Sequence, residues 1–433
     1  MPKIVFIGAG SIVFTKKIMM DIFLEKVLYG STIVLMDINK ERLQLLKKYS
    51  GALLKSHKLK IKVETTTDRR KALQKADYVI TSFQVGGLEA TKSDFEIPAK
   101  YGFKAIVADT TGPGGMFRGL RSIPVLLSIC KDMEELCPEA LLLNYVNPMP
   151  ILSTAMQRES TIRSIGLCHA VKGTMKELYH LLGYENAVPP ANRCYYEFAG
   201  INHLAWLTKF IVDGKDMYPR LRNLRKTVSL ENKIWVEENN VNYDLLDKFG
   251  LFVSEQADHQ VEYNPYYIKK DTEIKNSANK GMYPFAYLDT CMKYLNEYEK
   301  NIEDSLKEPG LPLTRSHEDA VDVIKAHFTN VPERVHGSVL NKGYIKNLPD
   351  HFSVEVPVFV DRGGFHPCTV EALPPAPAAY TNTVLTTSSL IVDGYLKRDK
   401  KILEQAFLLD PILSAILTLD EIESLFEEMF EAN

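Results

Sequence analysis

The chain has 433 residues, 45% of them hydrophobic and 25% charged, which is the balance of a globular protein and excludes a disordered one. That length exceeds one average domain and predicts two lobes. A net charge of −3 with dispersed Lys and Arg gives no reason to expect a nucleic-acid partner, and no apolar run approaches the ~18 residues of a membrane span.

The first 170 residues alternate strand and helix patterns, the signature of a parallel sheet with crossover helices. Ile4–Ile7 is a continuous apolar run closed by Gly8-Ala9-Gly10, which suits a strand buried on both faces. Helical spacing follows over 15–28, a strand over 31–36, an amphipathic helix over 41–57, and strands over 61–63 and 78–83. After an irregular segment the pattern predicts a helix over 120–136, a strand over 141–145, a helix opening after Pro148 and a strand over 165–168. Beyond Cys168 a helix is expected over 169–182 and strand-like pieces around a turn over 198–212. Helices are expected over 302–311 and 318–328, a strand over 353–360, and a helical C-terminus over 399–430 interrupted at Asp410-Pro411. The two lobes are placed at 1–170 and 171–433.

Gly8-Ala9-Gly10-Ser11 follows a strand and precedes a helix, where a glycine turn can admit a pyrophosphate and the helix N-terminus supplies donors. Asp37 ends the second strand, 27 residues after Gly10, where a carboxylate can accept from ribose hydroxyls and repel a 2′-phosphate. NAD is therefore expected over NADP, although Val13 stands where a third glycine would complete the motif. A second cluster, Gly112-Pro113-Gly114-Gly115 before Arg118 and Arg121, reads either as a loop approaching a ligand or as a flexible surface loop.

Cys168 ends an apolar strand and His169 follows at once, at the edge where open α/β sheets bind ligands. His203 interrupts two apolar pieces. Thiolate and imidazole can ligate a transition metal, but either residue alone reads more simply as a buried thiol or a core histidine, and the spacing carries no zinc signature. Asp109, Asn144 and Asn147 occupy similar strand-end settings. Glu255, Asp258, His259, Glu262 and Tyr263 crowd one segment, and crowding of titratable groups points to chemistry. The six cysteines form no CxxC pair and the N-terminus lacks a signal-peptide pattern, so free thiols and a cytoplasmic location are expected.

In order along the chain stand GAGS (8–11), Gly86-Gly87, ADTTGPGG (108–115), NYVNPM (144–149), GLCHAV (166–171), AGINH (199–203) and EYNPYY (262–267). This series resembles glycoside hydrolase family 4, the NAD- and manganese-dependent glycosidases, over residues 3 to 420, and its α-galactosidase members in particular. The resemblance implies a Rossmann sheet of the lactate/malate dehydrogenase kind, a C-terminal α+β substrate domain, and a homodimer or homotetramer. It implies hydride removal from carbon 3 of the sugar, proton removal from carbon 2, loss of the aglycone, then water addition and reversal. Gly8, Gly10, Ser11 and Asp37 would bind NAD, and Cys168 and His203 a manganese or other divalent ion. Tyr263 would be the base at carbon 2, His169 the proton donor and Asp109 a further catalytic residue, and Asn147, Asp109 and His169 would contact the sugar.

Departures from the pattern bear on the substrate. Phospho-sugar members carry Asn or Asp after the cysteine and an arginine near the position of Thr91, so His169 and Thr91 predict an unphosphorylated sugar. Ala170, where the α-galactosidases carry Ser, and the segment Arg362-Gly363-Gly364-Phe365-His366 leave an α-glucosidase or a uronic-acid glycosidase open. A simple NAD-dependent dehydrogenase and a non-catalytic NAD- or sugar-binding sensor are the readings from other classes.

Overall fold

The structure is a computed structural model that describes residues 1–11, 13–184, 192–228, 233–269 and 282–433. Its first half is a parallel sheet made of β1 (Lys3–Ile7), β2 (Thr32–Met36), β3 (Lys62–Thr66), β4 (Tyr78–Thr81), β5 (Leu141–Asn144) and β6 (Ser164–Gly166), in the spatial order β3-β2-β1-β4-β5-β6. A continuous apolar strand needs both faces covered, and β1 is where that need is met: Val5 lies between Val34 and Val79, all three buried. The chain leaves β1 for β2 on one side and later pairs β4 on the other. That reversal opens a crevice beyond the strands' C-terminal ends. Gly8, Asp37, Ser82, Tyr145 and Cys168 all fall along this edge.

The second half contributes β7 (Cys194–Ile201), β8 (Leu204–Val212), β9 (Lys215–Asp216), β10 (Glu333–Leu340), β11 (Ser353–Asp361) and β12 (Gly364–Pro367). β10 joins β6 through Ser338 opposite Gly166, and the order continues β10-β11-β7-β8-β9 with β12 on β11, so one sheet crosses both halves of the chain. The expected boundary at residue 170 falls at the start of the helix Ala170–Leu181, and the hydrophobic core extends across it. The α/β architecture with a Rossmann-type first half is as expected. No helix among the described residues is long and apolar enough to cross a membrane, and none of the six cysteines is in a disulfide.

Several sequence expectations need correction. The segment after β4, expected to be irregular, contains the helix Gly87–Lys100; its Gly-Gly start and internal Pro98 obscure the periodicity. The cluster Gly112–Gly115 is not a surface loop but the buried first turn of the helix Gly112–Leu136. A Cβ on Gly114 would lie 2.9 Å from the Asp94 carbonyl oxygen, and one on Gly115 would collide with the Thr110 backbone. These glycines let the helix pack directly on the 108–110 segment. In the second half the helix expected from residue 302 begins at Ala286, and the helices Tyr218–Thr227, Asn240–Phe249 and Pro375–Lys397 and strand β10 were not expected. The break at Asp410-Pro411 is present: Asp410 Oδ1 accepts from the Ile412 and Leu413 N–H groups at 2.9 Å each.

Candidate active site

The glycine turn is shaped by what it touches. Gly8 adopts φ 84°, and a Cβ there would stand 2.7 Å from the Ser82 carbonyl oxygen. The Gly10 N–H donates to Asp37 Oδ2 at 2.7 Å, and the Asn39 N–H donates to Oδ1 at 2.9 Å. A Cβ on Gly10 would sit 2.8 Å from Asp37 Oδ2. Ser11 Oγ accepts from the Phe14 N–H at 3.4 Å where the helix Thr15–Leu24 begins. Gly8, Gly10 and Ser11 thus form a turn poor in side chains, braced by the Asp37 carboxylate at the switch point, a shape that fits a dinucleotide phosphate and ribose.

Cys168 and His203 meet although 35 residues separate them. Cys168 follows β6, and His203 occupies the tight turn between β7 and β8 with φ 66°, a left-handed conformation that is uncommon for histidine. Cys168 Sγ lies 3.4 Å from His203 Nε2, and Glu255 Oε2 lies 3.8 Å from the same nitrogen. Cys168, His203 and Glu255 can each offer a ligand atom within 4.8 Å of the others, as can Asp109, His203 and His259. A sulfur, an imidazole and a carboxylate so close fit a divalent transition ion. Burial pushes the Cys168 thiol well above its ordinary range, with Glu255 and Glu355 adding to the effect. Burial also lowers His203 to about 4, helped by His259, so its ring is neutral near pH 7 and retains a lone pair for a metal. The Thr110 hydroxyl lies 3.4 Å from Nδ1 on the ring's other side.

The acid–base residues surround this pair. Asp109, buried, accepts from the Asn147 side-chain amide at 2.9 Å and from the Thr110 hydroxyl at 2.6 Å. Arg118 Nε donates to the Asn147 carbonyl at 3.2 Å. The Tyr263 hydroxyl donates to the Asn202 carbonyl at 3.5 Å, beside His203. Burial raises the Tyr263 phenol well above its usual range, and the Asp109 charge raises it further. Glu262 explains how Tyr263 and Asp109 come together. Its Oε1 accepts from the Ile106 and Val107 N–H groups at 2.6 and 2.8 Å, and its Oε2 from Ala108 at 3.0 Å. One buried carboxylate thus ties the Tyr263 segment to the loop that carries Asp109.

His169 stands at the mouth, its side chain 42% exposed, with Nδ1 3.2 Å from Oε1 of the buried Glu318. That hydrogen bond raises the imidazole's pKa against the opposing effect of burial. His259 pairs with Asp258 at 2.9 Å and packs edge-on to His203, with ring centroids 4.6 Å apart. Burial opposes its charge, but Asp258, Glu255 and Asp109 outweigh burial and raise it to about 10. The sequence groups Glu255, His259 and Glu262 in a crowded segment without assigning them to the site. Glu318, 149 residues from His169, carries no local signal.

Asn144 is a structural residue: its side chain accepts from the Thr81 hydroxyl at 2.8 Å between β5 and β4. Thr91 is buried and bonds the Gly87 carbonyl at 2.9 Å. The segment Arg362–His366 lies at the opposite end of the sheet, where the Cβ position of Gly364 is 3.5 Å from Arg163. Its unusual sequence therefore does not line the cluster.

The Family 4 glycosyl hydrolase profile matches residues 3–184, and the Family 4 glycosyl hydrolase C-terminal domain profile matches residues 198–413. The chain is 39% identical over 435 residues to an alpha-galactosidase of Bacillus subtilis (strain 168), spanning 100% of this chain and 98% of that one. The crystal structure of lplD from Bacillus subtilis superposes with a TM-score of 0.87 at 26% identity, over 99% of each chain. The 6-phospho-beta glucosidase of Thermotoga maritima, solved with manganese, NAD+ and glucose-6-phosphate, shares the fold with a TM-score of 0.79 at 22% identity, over 100% of this chain and 98% of that one.

Proposed function

The chain belongs to glycosyl hydrolase family 4, and on that premise we propose that it is an NAD- and manganese-dependent α-glycosidase acting on an unphosphorylated α-galactoside. The observation that carries this reading is the 3.4 Å approach of Cys168 Sγ to His203 Nε2, in reach of Glu255 and beside Asp109, Asn147 and Tyr263. The identity of 39% to an alpha-galactosidase supports the choice of sugar. His169 after the cysteine and Thr91 in the helix Gly87–Lys100 support an unphosphorylated one.

NAD supplies reversible hydride acceptance, and manganese supplies positive charge that stabilises oxygen anions. Gly8, Gly10 and Ser11 would hold the pyrophosphate and Asp37 the adenosine ribose. Cys168 and His203 would hold the metal, with Glu255 in reach of both. Tyr263 would take the proton from carbon 2. Its raised pKa means the phenol needs a neighbouring positive charge to serve as a base, and the cation that Cys168 and the neutral His203 would hold would supply one. Asn147 and Asp109, already joined by a hydrogen bond, would bind and orient the sugar hydroxyls. His169 would protonate the departing aglycone oxygen, its ring steadied by Glu318.

A panel of nitrophenyl α-glycosides tests the reading directly. Hydrolysis of the α-galactoside is expected only with NAD, manganese and a reductant together. Preference for an α-glucoside or α-uronide would move the substrate, and net accumulation of NADH would replace the glycosidase with a dehydrogenase.

A further inference from the structure

Beside the glycine turn, a helix from the second half of the chain packs against the first half. Arg42, near the start of the helix Lys40–Ser56, sends Nη1 to the Gly10 carbonyl at 3.2 Å. Its guanidinium lies over the Tyr298 ring, 5.0 Å from the centroid. Tyr298 belongs to the distant helix Ala286–Lys307 and is only 5% exposed. Arg42 is half-buried, so the ring covers one guanidinium face while part of the side chain stays open beside Asp37. The Tyr298 hydroxyl is buried and has no hydrogen-bond partner among the described residues. The far end of this helix is fastened independently: Lys16 Nζ donates to Ser305 Oγ at 2.5 Å, and His57 Nε2 lies 2.7 Å from the Leu311 carbonyl oxygen.

We propose that Arg42 and Tyr298 form a shelf for the adenine ring of the dinucleotide, with the guanidinium stacked between the phenol and the base. A planar cation held between two π faces is a stable arrangement, because each face contributes stacking and cation–π attraction. The location agrees with the chemistry: the Gly10 carbonyl accepts from the guanidinium, and Arg42 Cδ and Oδ2 of Asp37, the expected ribose partner, lie 3.0 and 2.8 Å from the Cβ position of Gly10. The inference rests on the reading of Gly8–Ser11 as an NAD site.

The test is calorimetric titration of the whole chain with NAD, AMP and nicotinamide mononucleotide. Tyr298→Leu is expected to weaken NAD and AMP about tenfold (about 1.4 kcal/mol) and to leave nicotinamide mononucleotide within about twofold. Tyr298→Phe, which keeps the ring, should lose less than about threefold. Arg42→Ala should match the leucine variant. Equal circular dichroism and equal manganese binding in the variants exclude a folding defect. AMP affinity unchanged in Tyr298→Leu, or nicotinamide mononucleotide weakened as much as AMP, would overturn the shelf. If the unmodified chain binds NAD but the variants do not differ, only the shelf fails. If it binds no NAD at all, the cofactor reading fails with it.

Discussion

The glycine turn and the cysteine–histidine cluster lie along the same edge of one sheet but are built of different material. The turn is backbone: Gly8, Gly10 and Ser11 are consecutive or nearly so, and their shape follows from φ 84° at Gly8 and from close approaches to Ser82 and Asp37. The cluster is side chain. Cys168, His203 and Asp109 come from three separate loops and Glu255 and Tyr263 from a fourth segment, and the buried Glu262 and Gln260 hold them in place; Gln260 bonds the His203 and Ser254 carbonyls. A backbone site needs one local turn to be right. A convergent side-chain site needs several long-range packings to be right together, so damage should remain confined to one region if the two are separable.

The largest effect that would sharpen this contrast is expected from Cys168→Ser. Loss of the thiolate should lower metal-dependent hydrolysis at least about a hundredfold, while NAD affinity by calorimetry changes less than about twofold. A parallel loss of NAD binding would show that the regions are one cooperative unit. Tyr263→Phe comes next. Its hydroxyl removed, hydrolysis should slow by roughly 10²–10⁴-fold, the scale of an acid–base group, with sugar binding little changed. Deuterium exchange at carbon 2 at the normal rate would take Tyr263 out of the base role.

Gly10→Ala reverses the pattern. The new methyl would meet Asp37 Oδ2 at 2.8 Å, so NAD affinity should fall by about tenfold or more. Manganese affinity should remain as it was, and its loss would break the separation from the other side.

The smallest effect concerns Glu355 on β11, buried beneath the cluster. Burial, together with Glu255 and Asp319, raises its carboxyl to about 8 in the fold, above its ordinary value of 4.5. A folded pKa above the unfolded one means the fold retains the proton. The stabilisation is complete below about pH 4.5 and is lost as pH rises through about 8. Glu355→Gln in the metal-free chain should therefore raise Tm by a few degrees at pH 8 and change it little at pH 5. Equal shifts at both pH values would mean that the carboxylate is already solvated.

Much of the first half was legible because its signals are local. The β1 run, the GAGS turn and the strands at 32–36 and 141–144 follow from buried apolar runs and glycine chemistry. The helix Pro375–Lys397 was not legible, since Val384, Leu385, Thr387, Ser388, Ser389, Ile391 and Val392 are all buried and leave no apolar stripe to detect. Gly112–Gly115 misled for a related reason. Glycine marks close approach, but the sequence does not say whether the approaching group is a ligand or, as here, the Asp94 and Thr110 backbone.

The sequence by itself determined the parallel sheet, the glycine turn and, through an ordered series of motifs, the family. Only the tertiary structure decided that Glu255 and His259 join His203, that Glu318 backs His169, that Glu262 fastens the loop of Asp109, and that Tyr298 lies under Arg42. Periodicity and turn chemistry act over a few residues and are written in the order of the chain. Contacts between residues 149 or 155 positions apart depend on how whole elements pack, and no local pattern encodes that.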